Sequence, residues 1–145
     1  VRTLCHRYLI VRSAWVYGIG RDFVSTVLNA AADPTCPWLA VPTDRFASPT
    51  SADDLTAAVE QLIDHDTLGI YHIVCQGRCS RYDFAQAILK AAHMEDKLEL
   101  HPIRAADAGS TPSYTVLDNL MLRLDNLPQP RPWKEALNEY ISSLQ

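Results

Sequence analysis

No stretch of the chain is apolar for long enough to span a bilayer, and nothing reads as a signal peptide. Lys and Arg are scattered, no stretch forms a basic stripe, and the net charge is −4. Nucleic acid and anionic membranes therefore have no electrostatic footing. Cysteine is sparse: Cys5, Cys36, Cys75 and Cys79 have no Cys or His mate at zinc spacing. Without a secretory signal disulfides are not expected either, and the thiols read as buried or incidental. The five histidines are dispersed, and His72 falls within a strand-like run where a core or sheet-face role fits. These absences point to a soluble cytoplasmic chain. Its 145 residues suit one domain, and its 48% hydrophobic content suffices for an ordinary core.

Several motifs of chemistry are also missing. There is no P-loop, and "YGIGRDF" has Gly18 and Gly20 but no third glycine, so no dinucleotide fingerprint forms. No G-x-S-x-G elbow is present, and no Ser, His and Asp are spaced as a triad suggests. Asp53 and Asp54 stand in a helix's first turn, where carboxylates complement the macrodipole. No catalytic residue and no metal ligand is assigned.

What is present alternates between strand and helix grammar. "YLIVRSAWVY" (8 to 17) is apolar, β-branched and aromatic, the pattern of a strand buried on both faces. "DFVSTVLNAAA" follows as a helix with Asp22 as N-cap, ended by Pro34 and Pro37. "WLAVPTD" (38 to 44) reads as a short strand. The next helix has Ser51 and Asp54 at capping-box spacing and Leu55, Ala58, Val59, Leu62 and Ile63 on one face. Gly69 closes it, and "IYHIVC" (70 to 75) is a second buried strand. Ser80 and Asp83 repeat the capping-box spacing before another helix. "KLELHPI" (97 to 103) alternates as an exposed strand does. "VLDNLMLRLDNLPQP" is short helix or irregular chain. "RPWKEALNEYISSL" begins a helix at Pro132, with Trp133, Leu137, Tyr140, Ile141 and Leu144 on one stripe.

This order predicts an α/β fold with a parallel sheet. Two or three convincing strands are too few to cover a doubly buried strand on both edges. Most of the sheet is expected elsewhere, and the chain, which begins at Val1, reads as an excerpt of something longer. In open α/β sheets ligands bind beyond the carboxyl ends of parallel strands. Ser13, Ala14, Trp15 and Tyr17 fall at such an end. Position alone leaves Trp15 open between core residue and ligand wall.

The series "YLIVRSAWVYG", "DFVSTVL", "SPTSADDLTAAV", "GIYHIVCQG", "CSRYDFAQAI", "YTVLDN" and "RPWKEALNEYI" resembles the C-terminal half of the dTDP-4-dehydrorhamnose reductase family. That family belongs to the extended short-chain dehydrogenase/reductase group, and the likeness runs through essentially the whole chain. It implies the C-terminal part of a Rossmann-like parallel sheet plus a small α/β substrate-binding region. Residues 1–33 and 69–94 would supply the last Rossmann strands and helices, and residues 34–68 and 95–145 the substrate-binding part, together one partial domain. The family's Gly-rich loop and its Tyr-x-x-x-Lys pair have no counterpart in these residues, so the isolated chain is expected to be inactive.

By position, Ser13 and Ala14 would border the nicotinamide of NADPH or NADH. Trp15 would rest its face against the deoxysugar, with Tyr17, Asp22, Phe23, Arg45 and Thr111 around the nucleotide-sugar substrate. The implied reaction is hydride transfer to the 4-keto group of dTDP-4-dehydro-rhamnose. Asp22 stands where relatives commonly carry Asn, and Thr111 where they commonly carry Arg. A carboxylate gained and a guanidinium lost both disfavour a dianion. The partners implied are the missing N-terminal Rossmann half and a homodimer mate. A non-catalytic binding or regulatory module of the same fold is the alternative.

Overall fold

Two of the apolar runs meet as parallel neighbours. Strand β1 (Leu9–Arg12) lies beside β6 (Gly69–His72), with Leu9 opposite Gly69 and Arg12 opposite His72. The molecule is described by a computed structural model for residues 4, 6–105 and 113–144.

The run from 8 to 17 does not continue as one strand. It breaks at Ser13–Trp15 and resumes as β2 (Val16–Tyr17), which pairs in parallel with β5 (Thr50–Ser51). The break is a backbone event: Trp15 has φ of +42°, a left-handed conformation incompatible with a strand. Strand β3 (Trp38–Pro42) pairs in parallel with β8 (Glu99–Ile103). β4 (Phe46–Ala47) sits between β7 (Cys79–Ser80), antiparallel to it, and β9 (Tyr114–Thr115), parallel to it. The fold is mixed α/β, and its strand pairs are parallel apart from β4–β7 among the described residues.

The helices start where their caps dictate. Helix α1 (Phe23–Ala32) has a closed capping box: Ser25 N–H donates to the Asp22 carboxylate at 2.7 Å, and Asp22 N–H donates to Ser25 Oγ at 2.9 Å. Helix α3 (Arg81–Ala91) repeats the device with Ser80 and Asp83. At α2 (Ala52–Asp64) the box is only half made. Ser51 Oγ accepts from Asp53 and Asp54 N–H, but the Asp54 carboxylate turns to Arg131, whose Nε lies 3.0 Å away. A short helix α4 (Leu120–Leu124) precedes α5 (Trp133–Ser143), which opens directly after Pro132.

Packing gathers these elements into two main groups. Helices α2 and α4 bury Ala58, Leu62 and Leu122 against Tyr71 and Ile73 of the β6 run, with Leu9 and Val11 of β1 alongside. Helices α1, α3 and α5 pack with β3 and β8 around Val24, Val27, Phe84, Ile88, Leu137 and Ile141. The residues at the end of β1 lie where the two groups meet: Ala14 packs with Ala47 and Val74, and Trp15 touches this small cluster and the α1/α3/α5 core. No helix is long and apolar enough to cross a membrane among the described residues.

Candidate functional site

Ser13, Ala14 and Trp15 leave the carboxyl end of β1, and Ile73 to Cys75 leave the neighbouring end of β6. This is the position at which parallel sheets present ligands. Three features mark the turn as something other than a connector. A tryptophan holds a left-handed backbone, which costs about 1–3 kcal/mol for a non-glycine residue. Its carbonyl accepts the Thr50 N–H at 3.2 Å, which fixes the conformation. Beside it the buried Ser13 Oγ has no hydrogen-bond partner among the described residues, and neither does the hydroxyl of Tyr17. Buried hydroxyls without a partner are uncommon in folded proteins.

The Trp15 side chain enters an aromatic group centred on Phe84. Ring centroids lie 6.3 Å away for Trp15, 5.7 Å for Tyr17, 5.8 Å for Phe23 and 5.8 Å for Trp133. Tyr17 is 2% exposed, and burial pushes its hydroxyl well above the ordinary phenol range, so it stays neutral. Its ring also meets Tyr140, whose hydroxyl donates to the Gly18 carbonyl at 2.6 Å. Gly18 must be glycine for room: a Cβ there would come within 2.8 Å of Ala52 Cβ.

Asp22 is spent on the backbone. One carboxylate oxygen accepts Ser25 N–H and the other accepts Gly18 N–H at 2.8 Å, so it anchors α1 to the turn. Phe23, half-buried, stacks on Phe84 as α1 begins. Arg45, half-buried, donates to the Ala105 carbonyl at 3.4 Å. Thr111 lies outside the described residues. Trp15, Tyr17 and Phe23 therefore share one aromatic group, Ser13 and Ala14 stand at its edge, and Asp22 supports it from below.

A residue that sequence reasoning missed joins this group. The Arg81 guanidinium lies 3.7 Å from the Trp15 ring centroid and 4.4 Å from that of Phe23. Burial, with the charge of Arg45 nearby, lowers its pKa to about 10. It remains cationic at neutral pH. Its only signal in sequence is a charge in the first position of an otherwise amphipathic helix.

On the other side of Val74, a groove of about 370 Å³ runs past Ser48, Gly77, Leu117 and Asn119. Asn119 is buried and closes its back wall, donating to the Val74 carbonyl at 2.7 Å and accepting Val74 N–H at 3.0 Å. Ser13, Ala14 and this groove are the surfaces on which a planar cofactor ring could rest. Cys75 and Cys79 are buried behind it, their thiols pushed by desolvation up to about 11 and about 12. They are poor nucleophiles in that state. No cluster of three His, Cys, Asp or Glu side chains is placed to hold a metal ion among the described residues.

Comparison with known proteins gives a consistent picture. A family model described as the RmlD substrate binding domain matches residues 1–145. The spore coat polysaccharide biosynthesis protein SpsK of Bacillus subtilis is 38% identical over 134 residues, covering 91% of this chain and 46% of that protein. A dTDP-4-dehydrorhamnose reductase crystal structure from Clostridium acetobutylicum superposes with a TM-score of 0.92 at 38% identity, covering 99% of this chain and 51% of that one. The Bacillus anthracis dTDP-4-dehydrorhamnose reductase in complex with NADP also gives 0.92, at 30% identity, with 99% and 51% covered. The chain spans about half the length of the relatives it matches. It belongs to the RmlD substrate binding domain family.

Proposed function

We propose that these residues form the substrate-binding half of an NAD(P)H-dependent reductase that converts dTDP-4-dehydro-rhamnose to dTDP-rhamnose. The observation that carries this reading is the strained Trp15 turn at the carboxyl end of β1, in a chain matched along its whole length by a sugar-nucleotide reductase family. A reductase of this kind must hold a ketosugar against a nicotinamide and exclude water. Trp15, half-buried beside Phe23, offers a deoxysugar the part of its ring that Arg81 and Phe84 leave uncovered. Ser13 Oγ lies buried at the same turn, without a hydrogen-bond partner among the described residues. Ala14, with its small side chain, lets a nicotinamide ring approach.

The 145 residues act as one partial domain, with the β1–β6 layer as the last part of a Rossmann-type sheet. They contain no Tyr-x-x-x-Lys sequence, so the tyrosine that donates a proton to the developing alkoxide and the lysine that lowers its pKa come from the other half. The isolated 145 residues are inactive on this reading. A soluble, cytoplasmic setting suits a nucleotide-sugar substrate, and a homodimer is the assembly proposed.

The test is NADPH and NADH oxidation by the full chain in the presence of dTDP-4-dehydro-rhamnose, with product identified by mass. Stoichiometric dTDP-rhamnose formation supports the reading. Ligand binding without turnover would favour the non-catalytic module instead.

A further inference from the structure

Among the described residues, Arg81 is a cation with no carboxylate opposite. Its guanidinium pairs with no carboxylate and donates no hydrogen bond among the described residues. The acidic residue nearest on its own helix, Asp83, turns away: its carboxylate accepts from Ser80 N–H at 3.1 Å and Ser80 Oγ at 2.7 Å. The guanidinium occupies the first position of α3, where the positive end of the helix disfavours a cation. It is also half-buried, and the charge of Arg45 acts against its own. Three unfavourable electrostatic conditions therefore converge on one side chain. What holds it in place is the pair of rings, Trp15 at 3.7 Å and Phe23 at 4.4 Å.

Cation–π contacts are worth roughly 0.5–2 kcal/mol each and attract the face of the guanidinium. They leave its N–H edge available, and that edge is the fork that grips a phosphate or carboxylate in two places. The arrangement lies against the one residue in the turn with a strained backbone. An anion arriving at that edge would supply the charge partner that Arg81 lacks among the described residues.

We propose that Arg81, clamped between Trp15 and Phe23, seats a phosphate of a nucleoside-diphosphate ligand and selects for the diphosphate. This inference rests on the reading of the site given above and deepens it. It assigns the anionic part of the substrate to a residue at the start of α3. The guanidinium then supplies the charge that Asp22, committed to Gly18 and Ser25, does not oppose.

The test is titration calorimetry of the full chain with dTDP, thymidine and inorganic pyrophosphate, for the unsubstituted protein, Arg81→Gln and Arg81→Lys. Losing a charge-assisted pair is expected to weaken dTDP and pyrophosphate roughly ten- to a hundredfold in Arg81→Gln, with partial recovery in Arg81→Lys. Thymidine binding is expected to stay within about twofold, because it carries no phosphate. Arg81→Gln should also melt no lower than the unsubstituted protein, which shows that the loss is not one of folding. Unchanged dTDP affinity in Arg81→Gln, a parallel loss of thymidine binding, or no pyrophosphate binding to the unsubstituted protein overturns the proposal. Arg81-dependent pyrophosphate binding in a chain that does not reduce the ketosugar would keep the anion seat and remove the reductase. Reduction with dTDP affinity indifferent to Arg81 would do the reverse.

Discussion

Asn119 Nδ2 donates to the Val74 carbonyl at 2.7 Å while Asn119 Oδ1 accepts the Val74 N–H at 3.0 Å. One buried side chain thus completes the backbone of a residue 45 positions away, where β6 gives out. The end of that strand is held in shape by an amide rather than by a further strand.

Removing this amide leaves two buried backbone groups without partners. Asn119→Ala is expected to lower stability by roughly 2–6 kcal/mol, since each of the two unsatisfied groups costs about 1–3 kcal/mol. Asn119→Asp keeps the acceptor but sets an oxygen against the Val74 carbonyl, and should be no better tolerated. Urea unfolding followed by circular dichroism measures both. A loss below about 1 kcal/mol for Asn119→Ala would mean that water replaces the amide.

Phe84 is 1% exposed and touches Trp15, Tyr17, Phe23 and Trp133. Phe84→Ala is expected to cost about 3–5 kcal/mol by opening a cavity at the centre of the aromatic group. Phe84→Leu should cost less and retain ligand binding weakly. Equal losses for the two would show that ring geometry, not filled volume, holds the group together.

The backbone at Trp15 makes an unusual prediction. Glycine in place of alanine ordinarily costs about 0.5–1 kcal/mol, but at φ of +42° the strain falls on alanine instead. Trp15→Gly should therefore be at least as stable as Trp15→Ala. Both should raise KM for the sugar nucleotide by about tenfold, near 1.4 kcal/mol of lost contact. Thermal melts and steady-state kinetics on the two variants decide. Trp15→Ala clearly more stable than Trp15→Gly would show that the turn relaxes when the indole is removed.

Burial raises the thiols of Cys75 and Cys79 from the ordinary value of 9.0 to about 11 and about 12. The folded state then holds protons that the unfolded chain releases. Stability associated with these groups is complete below about pH 9 and is lost as pH rises toward 11. The Cys75→Ala, Cys79→Ala double variant should show a shallower fall in melting temperature across that window. An identical slope would assign the alkaline loss to other buried acids such as Tyr17. In the native protein at neutral pH, neither thiol should react with iodoacetamide on the timescale on which half-buried Cys36 does.

Much of the helical framework was legible in the residues. Asp22, Ser80 and Pro132 stand where α1, α3 and α5 begin, because capping chemistry is local and needs only neighbours in sequence. The Ser51–Asp54 spacing named the start of α2 correctly but not the full box. The competitor for Asp54 is Arg131, 77 residues away. The run from 8 to 17 read as one strand because all but Arg12 and Ser13 are apolar or aromatic. Nothing in hydrophobic periodicity marks the left-handed Trp15 that divides it. Strands of two residues such as β4, β7 and β9 carry no periodic signal at all.

The site shows the same split. Ser13, Ala14, Trp15 and Tyr17 were candidates from their place after a buried strand. The helix reading gave Asp22 as an N-cap and Phe23 as a stripe residue, and only the family resemblance made them site candidates. Arg81 was not, because its role comes from contact with rings 58 and 66 positions earlier in the chain. Its charge in a first helical turn is the one local hint, and by itself such a charge is ordinary surface chemistry.

The account stands on Trp15 facing a ligand, and fluorescence tests this most directly. The full chain is titrated with dTDP-rhamnose, unsubstituted and as Trp15→Phe, and indole emission is followed. The account predicts a saturable change in the unsubstituted protein that disappears in Trp15→Phe while calorimetry still detects binding. A change of the same size in Trp15→Phe would place the responding indole at Trp38 or Trp133 and return Trp15 to the core.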